Sequence, residues 1–402
     1  GASLNQRGDN VAFARAWQTS GLAEQSGGDA ALDVTLRIGC AFDQTITAES
    51  ASLPSISVTH ADGVADTDYE LQSVLGEGGM GQVWLARQRS LERDVAIKIS
   101  AGDTRGGAAA ALLHEARFMG QLEHPNIVPV HALGRDGAGA HLLIMKRVSG
   151  VCWSDLLDDD DHPTWDDVAS HFGRDRSDAH LRILLAVCTA LSFAHSRGVV
   201  HLDIKPDNVM IGSFGEVYVV DWGIATRVDE QPPPAERGIA GTPAYMAPEQ
   251  AVPDIGRVGP ATDVYLLGAT LYHVLAGKPP HVRESLEATL RAAFASTPSL
   301  PDGPDELRSI VQRAMHAEPA ERYETVTDLR RAIDDHLTHR AAMELTTEAD
   351  NQLAQLVTQL DGAEPIAQQL RAAAAQCRFA YQVALRQWPQ DPRASDGLAR
   401  CQ

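Results

Sequence analysis

Long apolar runs are missing from this chain of 402 residues. No unbroken apolar stretch approaches the roughly 20 residues needed to cross a bilayer, so nothing in the sequence reads as a membrane span. Cysteine is scarce, and Cys40, Cys152, Cys188, Cys377 and Cys401 are scattered without C-x-x-C spacing. That pattern argues against a disulfide framework or a zinc site and fits a reducing compartment. Positive charge is also short: Lys and Arg number 34 against 54 Asp and Glu, a formal net charge of −20. A nucleic-acid surface needs clustered Lys and Arg, so that class of partner is not expected. The start, GASLNQ, has no signal-peptide pattern and is expected to be an internal cut or a leftover of expression. A cytoplasmic location follows, for the chain alone or as the cytoplasmic part of a longer protein. The last residues, GLARCQ, stop inside a helical pattern, so a longer parent chain is expected.

What is present is an ordinary globular composition, 44% hydrophobic and 22% charged, long enough for two or three domains. Three zones stand out. Residues 1–67 are polar and acidic, with a loose helical spacing in VAFARAWQTSGLAEQ at 11–25 and a Ser/Thr/Ala/Asp-rich stretch at 44–67 that reads as linker, partly disordered. From Tyr69 to about Arg340, strand and helix patterns alternate. LQSVLGEGGMGQVWLARQ and RDVAIKIS read as three strands, while AAAALLHEARFMGQL, LRILLAVCTALSFAHSRG and ATDVYLLGATLYHVLAG read as helices. The run DLLDDDDHPTWDD at 155–167 reads as a solvent-facing acidic insertion. Residues 341–402 are helix-rich, and FAYQVALRQWPQDPRA at 379–394 resembles half of a tetratricopeptide repeat. One such unit cannot bury its own apolar face. It is expected to pack on the preceding region, on a protein partner or second copy, or on repeats beyond the chain's end.

Six segments carry chemistry. GEGGMGQV places Gly76, Gly78, Gly81 and Val83 in a G-x-G-x-x-G-x-V pattern between two strands, which suits a hairpin folded over phosphates. VAIK puts Lys98 at the end of an apolar strand, where a lysine needs an anionic partner. Glu115, in LLHEARFMG, is the candidate. HLDIKPDN, VVDWGIA and GTPAYMAPEQ follow in that order. Together these segments resemble the protein kinases, most nearly the bacterial serine/threonine kinases of eukaryotic type. The resemblance covers about 69–338.

The resemblance implies an α+β, bilobal fold with a β-rich N-lobe at about 68–148 and a helical C-lobe at about 149–340, flanked by the N-terminal extension and the C-terminal helices. It implies ATP and Mg2+ (Mn2+ as a substitute), and protein substrates of unknown identity. It assigns Asp203 to accept or orient the proton of the attacking hydroxyl, Lys205 to neutralise the transferring phosphoryl group, and Asn208 and Asp221 to hold the metal. Val83 and Ala96 would cover the adenine, Met210 would lie beneath it, Met145 would guard the back of the pocket, and Lys146 to Val148 would form the hinge. Lys205 and Thr242 follow the serine/threonine rather than the tyrosine arrangement. Asp263 resembles the aspartate that anchors the catalytic-loop backbone, and Glu249 with Arg322 the ion pair that ties the activation segment to the C-lobe.

Two positions depart from the common pattern. Trp222 replaces the phenylalanine of the D-F-G triplet and is expected to pack with Met119, Val130 and His201. Leu202 replaces the arginine that usually pairs with a phosphorylated activation loop. The loop itself has no Ser, Thr or Tyr between Thr226 and Thr242, and carries Pro232 to Pro234. Catalysis is therefore expected not to depend on loop phosphorylation, with autophosphorylation outside 227–241, among Thr45, Thr47, Ser50, Ser52, Ser55, Ser57 and Thr59. Two other function classes fit the residues less well. A catalytically dead scaffold usually lacks the lysine, the base or the metal aspartate, and Lys98, Asp203 and Asp221 are all present. A small-molecule kinase generally lacks the GTPAYMAPEQ segment, which is intact.

Overall fold

A computed structural model describes residues 36–38, 53–60, 67–78, 81–100, 107–230, 238–252, 258–360 and 367–401. The helix expected at 11–25, the prolines 232–234 and the hydroxyls Thr45, Thr47, Ser50 and Ser52 lie outside them. In chain order the N-terminal part contains β1 (Leu36–Ile38), β2 (Val58–His60), β3 (Tyr69–Gly78), β4 (Gly81–Gln88), β5 (Arg93–Ser100), α1 (Gly107–Gln121), β6 (Val130–Arg135) and β7 (His141–Lys146). Apart from β1, the strands form one six-stranded sheet in the order β2-β3-β4-β5-β7-β6. Its core gathers Tyr69, Leu71, Ala86, Val95, Ile97, Leu142 and Ile144.

Within the stretch 44–67 expected to be linker, the described residues 53–60 join this sheet instead. Ile56 N donates to Arg135 O (2.7 Å), Arg135 N donates to Pro54 O (2.9 Å), and β2 runs parallel to β3. Ile56 and Val58 alternate with Ser55, Ser57 and Thr59, a half-buried strand pattern that the serine and threonine content disguised. Ser57 and Thr59 are engaged locally: Ser57 Oγ donates to Asp68 Oδ2 (2.8 Å), and the Thr59 and Thr67 hydroxyls lie 3.1 Å apart.

The C-terminal part of the first unit is helical. It contains β8 (Gly150–Cys152), α2 (Trp153–Asp158), α3 (Trp165–Phe172), α4 (Arg176–Ser196), β9 (Val199–Val200), β10 (Val209–Gly212), β11 (Val217–Val219), β12 (Thr226–Arg227), β13 (Ile239–Gly241), α5 (Pro248–Ala251), α6 (Pro260–Ala276), α7 (Leu286–Ala295) and α8 (Asp305–Ala314). By length and hydropathy α4 could cross a membrane, yet more than half of its apolar window is buried inside the protein. Its composition is that of a core helix. The acidic stretch 155–167 is only partly the solvent-facing insertion expected. Its aspartates are exposed, but Leu156 and Trp165 are buried.

The chain divides into the compact units Gly1–Arg330 and Arg331–Gln402, and helix α9 (Val326–Leu360) runs through the division. Within the second unit, α9, α10 (Ala367–Gln387) and α11 (Pro392–Arg400) enclose Ala342, Ala349, Leu353, Cys377, Tyr381, Ala384 and Ala394. The Tyr381 hydroxyl donates to Asp350 Oδ1 (2.7 Å), whose other oxygen pairs with Arg393 (2.7 Å). The repeat-like stretch 379–394 therefore buries Tyr381, Ala384 and Ala394 with Ala342, Ala349 and Leu353 of α9, inside the region expected to be helix-rich.

Two buried histidines of the first unit set an acid limit. The Trp153 indole N–H donates to His180 Nδ1 (2.8 Å), and the Tyr265 hydroxyl meets His281 Nε2 (2.8 Å). Burial pushes His180 down to about 4, with Arg176 and His273 adding to the effect and Asp160 opposing it, and pushes His281 down to about 3, helped by Arg283. Unfolded histidines take up protons below about 6.5, while these two resist until far lower, so stability is fully present above that pH and is lost on acidification. Urea midpoints are expected to fall steadily from neutral pH towards pH 4, a loss on the order of several kcal/mol, and His180→Gln with His281→Gln should flatten the curve. A pH-independent midpoint across that window would contradict this.

Candidate active site

The site lies in a cleft of about 740 Å³ between the sheet and the helical part. Its upper wall comes from β3, β4 and β5, which present Gly76, Val83, Ala96 and Lys98. Met145, Val148 and Met210 line it as well, with Glu115 and Asp221. Gly78 pairs with Gly81 where β3 meets β4. The sequence reading had not singled out Leu75, Val128, Val220, Asp155, His162 or Asp207, which also line the cleft. Asp155 and His162 come from the acidic stretch 155–167.

Lys98 and Glu115 meet because two local patterns converge. Val95, Ala96 and Ile97 are buried, so β5 is fixed in the sheet and delivers Lys98 to the cleft. On α1, Leu112, Glu115, Ala116 and Met119 share one buried face at helical spacing. Glu115, only 2% exposed, accepts from Lys98 Nζ at 2.6 Å. Asp221 Oδ1 lies 3.9 Å from the same ammonium.

The loop 201–208 is held by buried hydrogen bonds. Asp263, wholly buried, accepts from His201 N at Oδ2 (2.9 Å), from Leu202 N at Oδ1 (2.9 Å) and contacts His195 Nε2 at 2.7 Å. Burial alone would push the Asp263 carboxyl up; the His195 hydrogen bond and the neighbouring His195 and His201 outweigh it and hold the carboxyl below its usual value. Leu202 adopts φ +69°, a left-handed conformation that costs a branched side chain roughly 1–2 kcal/mol. Its carbonyl accepts from Gln250 Nε2 (2.8 Å), and Gln250 also reaches Ala240 O (3.2 Å). Gly241, at φ +124°, fits beside this carbonyl: a Cβ there would stand 3.2 Å from Leu202 O.

Asp203 then has both oxygens engaged. Oδ1 accepts from Thr242 N (2.9 Å) and Thr242 Oγ1 (2.7 Å), and Oδ2 accepts from Asn208 Nδ2 (3.1 Å), which also donates to Asp203 O (2.7 Å). Lys205 is buried two residues on, 4.0 Å from Asp207. Asn208 O accepts from Val220 N (2.9 Å), which sets Asn208 next to the strand that leads into Asp221. Trp222 is fully buried and meets His201 edge-on at 4.6 Å, as expected for one of its partners. Its indole N–H has no hydrogen-bond partner among the described residues.

The activation segment is anchored at both described ends. Arg322 Nη1 and Nη2 bind the two oxygens of Glu249 at 2.7 and 2.9 Å, with both residues buried. Near its start, Ala225 O lies 2.6 Å from His114 Nε2 of α1, and Arg227 Nη2 donates to Gln121 Oε1 (3.1 Å) while β12 pairs with β9. His195, Gln250 and His114 were not assigned roles from sequence. Each acts on a residue tens of positions away, which no local motif announces.

Among the described residues no three His, Cys, Asp or Glu side chains form a metal cage. Magnesium does not need one, since it is held by one or two protein oxygens together with phosphate oxygens. The Asp221 carboxylate at the cleft and the Asn208 amide, whose NH2 is committed to Asp203, fit that limited donor set.

Residues 69–333 match the family model of the protein kinase domain. The chain is similar to serine/threonine-protein kinase PknB of Mycobacterium leprae, 33% identical over 65% of this chain and 42% of the relative. It is similar to serine/threonine-protein kinase PknD of Chlamydia muridarum, 31% identical over 67% of this chain and 31% of that protein. PknB of Mycolicibacterium smegmatis is 32% identical over 65% and 42% respectively. The chain spans less than half the length of these curated relatives.

Proposed function

The chain belongs to the protein kinase family, and we propose that it transfers the γ-phosphoryl group of Mg-ATP to serine or threonine hydroxyls of proteins. The observation that carries this reading is the Asp203 carboxylate, steadied by Thr242 and Asn208 while Lys98, Glu115 and Asp221 gather at the cleft. In this reading Lys98 holds nucleotide phosphates and Glu115 holds Lys98. The Lys146 N–H donates to Pro129 O, which fixes the start of the hinge, and the backbone of Lys146 to Val148 holds the adenine. Asp203 orients the substrate hydroxyl and takes its proton, and Lys205 offsets charge on the transferring group. Asn208 and Asp221 hold magnesium, which supplies charge neutralisation on the phosphate oxygens.

The same reading makes activity independent of a phosphorylated loop. A phosphate would lack its usual arginine at Leu202, while the Asp263, Gln250, Glu249–Arg322 and His114 contacts supply anchors that need no modification. Incubation with γ-labelled Mg-ATP and a generic protein substrate tests the reaction class. Label on phosphoserine and phosphothreonine is expected; label on phosphotyrosine alone, or on nothing, overturns the reading.

A further inference from the structure

Part of the N-terminal extension is built into the sheet that roofs the cleft. β1 pairs with β13 in a sheet of its own, but residues 53–60 join the larger sheet at both of its ends. On one side β2 runs parallel to β3 in the register Val58–Tyr69, Thr59–Glu70 and His60–Leu71. On the other, Ser55 bridges Arg135 at the end of β6, Ile56 N donates to Arg135 O (2.7 Å) and Arg135 N donates to Pro54 O (2.9 Å). Without this segment β3 and β6 would be the two open edges, so it closes the sheet on itself. Side chains fasten it. Ile56, 8% exposed, shares a core cluster with Tyr69, Leu71, Val95, Ile97 and Ile144. Ser57 N and Oγ both donate to Asp68 Oδ2 (3.2 and 2.8 Å), and Asp68 N donates to Ser57 Oγ (2.9 Å). Gly134 shows the same fit from β6: a Cβ there would overlap the Ile56 side chain and stand 2.7 Å from Pro54 O.

The strands joined in this way are the ones that shape the cleft. β3 leads from its tie at Tyr69–Leu71 to Gly76 and Gly78 in the glycine-rich hairpin, and β6 leads back to Val130, which pairs with Met145. Pro129 O, one residue before β6, accepts from Lys146 N at the start of the hinge. An open sheet can splay and change the angle between hairpin and hinge, whereas a closed one holds it. A ligand that needs one arrangement binds more weakly in proportion to the time spent in others. We propose that residues 53–60 are a strap that holds the roof of the cleft in its nucleotide-binding arrangement. It is a positioning element outside the residues that match the protein kinase domain. None of its residues lines the cleft, so it acts on nucleotide affinity and leaves transfer from the bound complex unchanged. The inference rests on the reading of this cleft as the nucleotide site.

Three variants of the full chain test it. Ile56→Pro removes the donor to Arg135 O together with the buried side chain. Gly134→Ala pushes Ile56 and Pro54 away from β6. Asp68→Ala is the mildest, since it removes only an exposed acceptor of Ser57. Hydrogen exchange at the Arg135 amide reports release of the strap, Mg-ADP titration reports affinity, and initial rates at saturating Mg-ATP report turnover. Each variant is expected to exchange faster at Arg135 and to bind Mg-ADP more weakly, about tenfold for Ile56→Pro and Gly134→Ala, a coupling of ordinary size. Combining those two should weaken binding no further than either alone, because both release the same strap. Turnover at saturation should stay near that of the unaltered protein. An Arg135 amide that stays protected in all three variants overturns the strap. Faster exchange with unchanged Mg-ADP affinity overturns its role, as does a loss confined to turnover. If the unaltered protein bound no Mg-ADP at all, the nucleotide reading of the cleft would fall instead.

Discussion

Asp203→Asn is expected to lower phosphoryl transfer by about 10²- to 10⁴-fold, the usual contribution of a positioned general base. The substituted amide is nearly isosteric, but it cannot take the proton. It also cannot satisfy both neighbours. Thr242 N–H and hydroxyl donate to one oxygen and Asn208 Nδ2 donates to the other, so an amide must turn its NH2 towards one set of donors. Nucleotide affinity should change little, because Lys98, Met145, Val148 and Met210 are untouched. Transfer kinetics together with a nucleotide-binding titration check both halves. A variant with wild-type turnover would remove Asp203 from its proposed role.

Asp263→Ala is expected to cost about 3–5 kcal/mol of stability and most of the activity. The substitution leaves the N–H groups of His201 and Leu202 buried without their acceptor and removes the partner of His195. It also frees Leu202 from the contacts that keep it at φ +69°. When that residue relaxes, Asp203, the next one along, loses its fixed direction. The same carboxylate gives a pH signature. Its folded value is depressed, so its contribution is present above the normal carboxylate range and is lost as pH falls through the folded value. Chemical denaturation compares the two proteins. A loss below about 1 kcal/mol, the scale of a single exposed hydrogen bond, would mean the loop is held elsewhere.

Local motifs made part of the cleft's arrangement legible in the sequence. Lys98 sits in a buried strand and Glu115 on the buried face of a helix, so both patterns announced their direction, and their 2.6 Å contact follows. Thr242, Asp263, Glu249 and Arg322 were legible because their segments keep family order. The extended stretch 53–60 that ends in β2 was not, since Ser55, Ser57 and Thr59 on one side of it imitate a linker. β1 was invisible for a related reason: three residues carry too little periodicity, and its partner lies some two hundred positions away. The long-range roles of His195 and Gln250 depend on the folded chain, and no spacing rule could have supplied them.

The central claim is that this catalytic site is assembled without a modified activation loop. The most direct test is the initial rate of transfer from Mg-ATP to a protein substrate, measured side by side for phosphatase-treated and untreated protein, with phosphosite mapping of residues 221–249. The account predicts equal initial rates and no phosphate in that segment. A treated protein that stays silent until phosphate appears on Thr226 or Thr242 would contradict it.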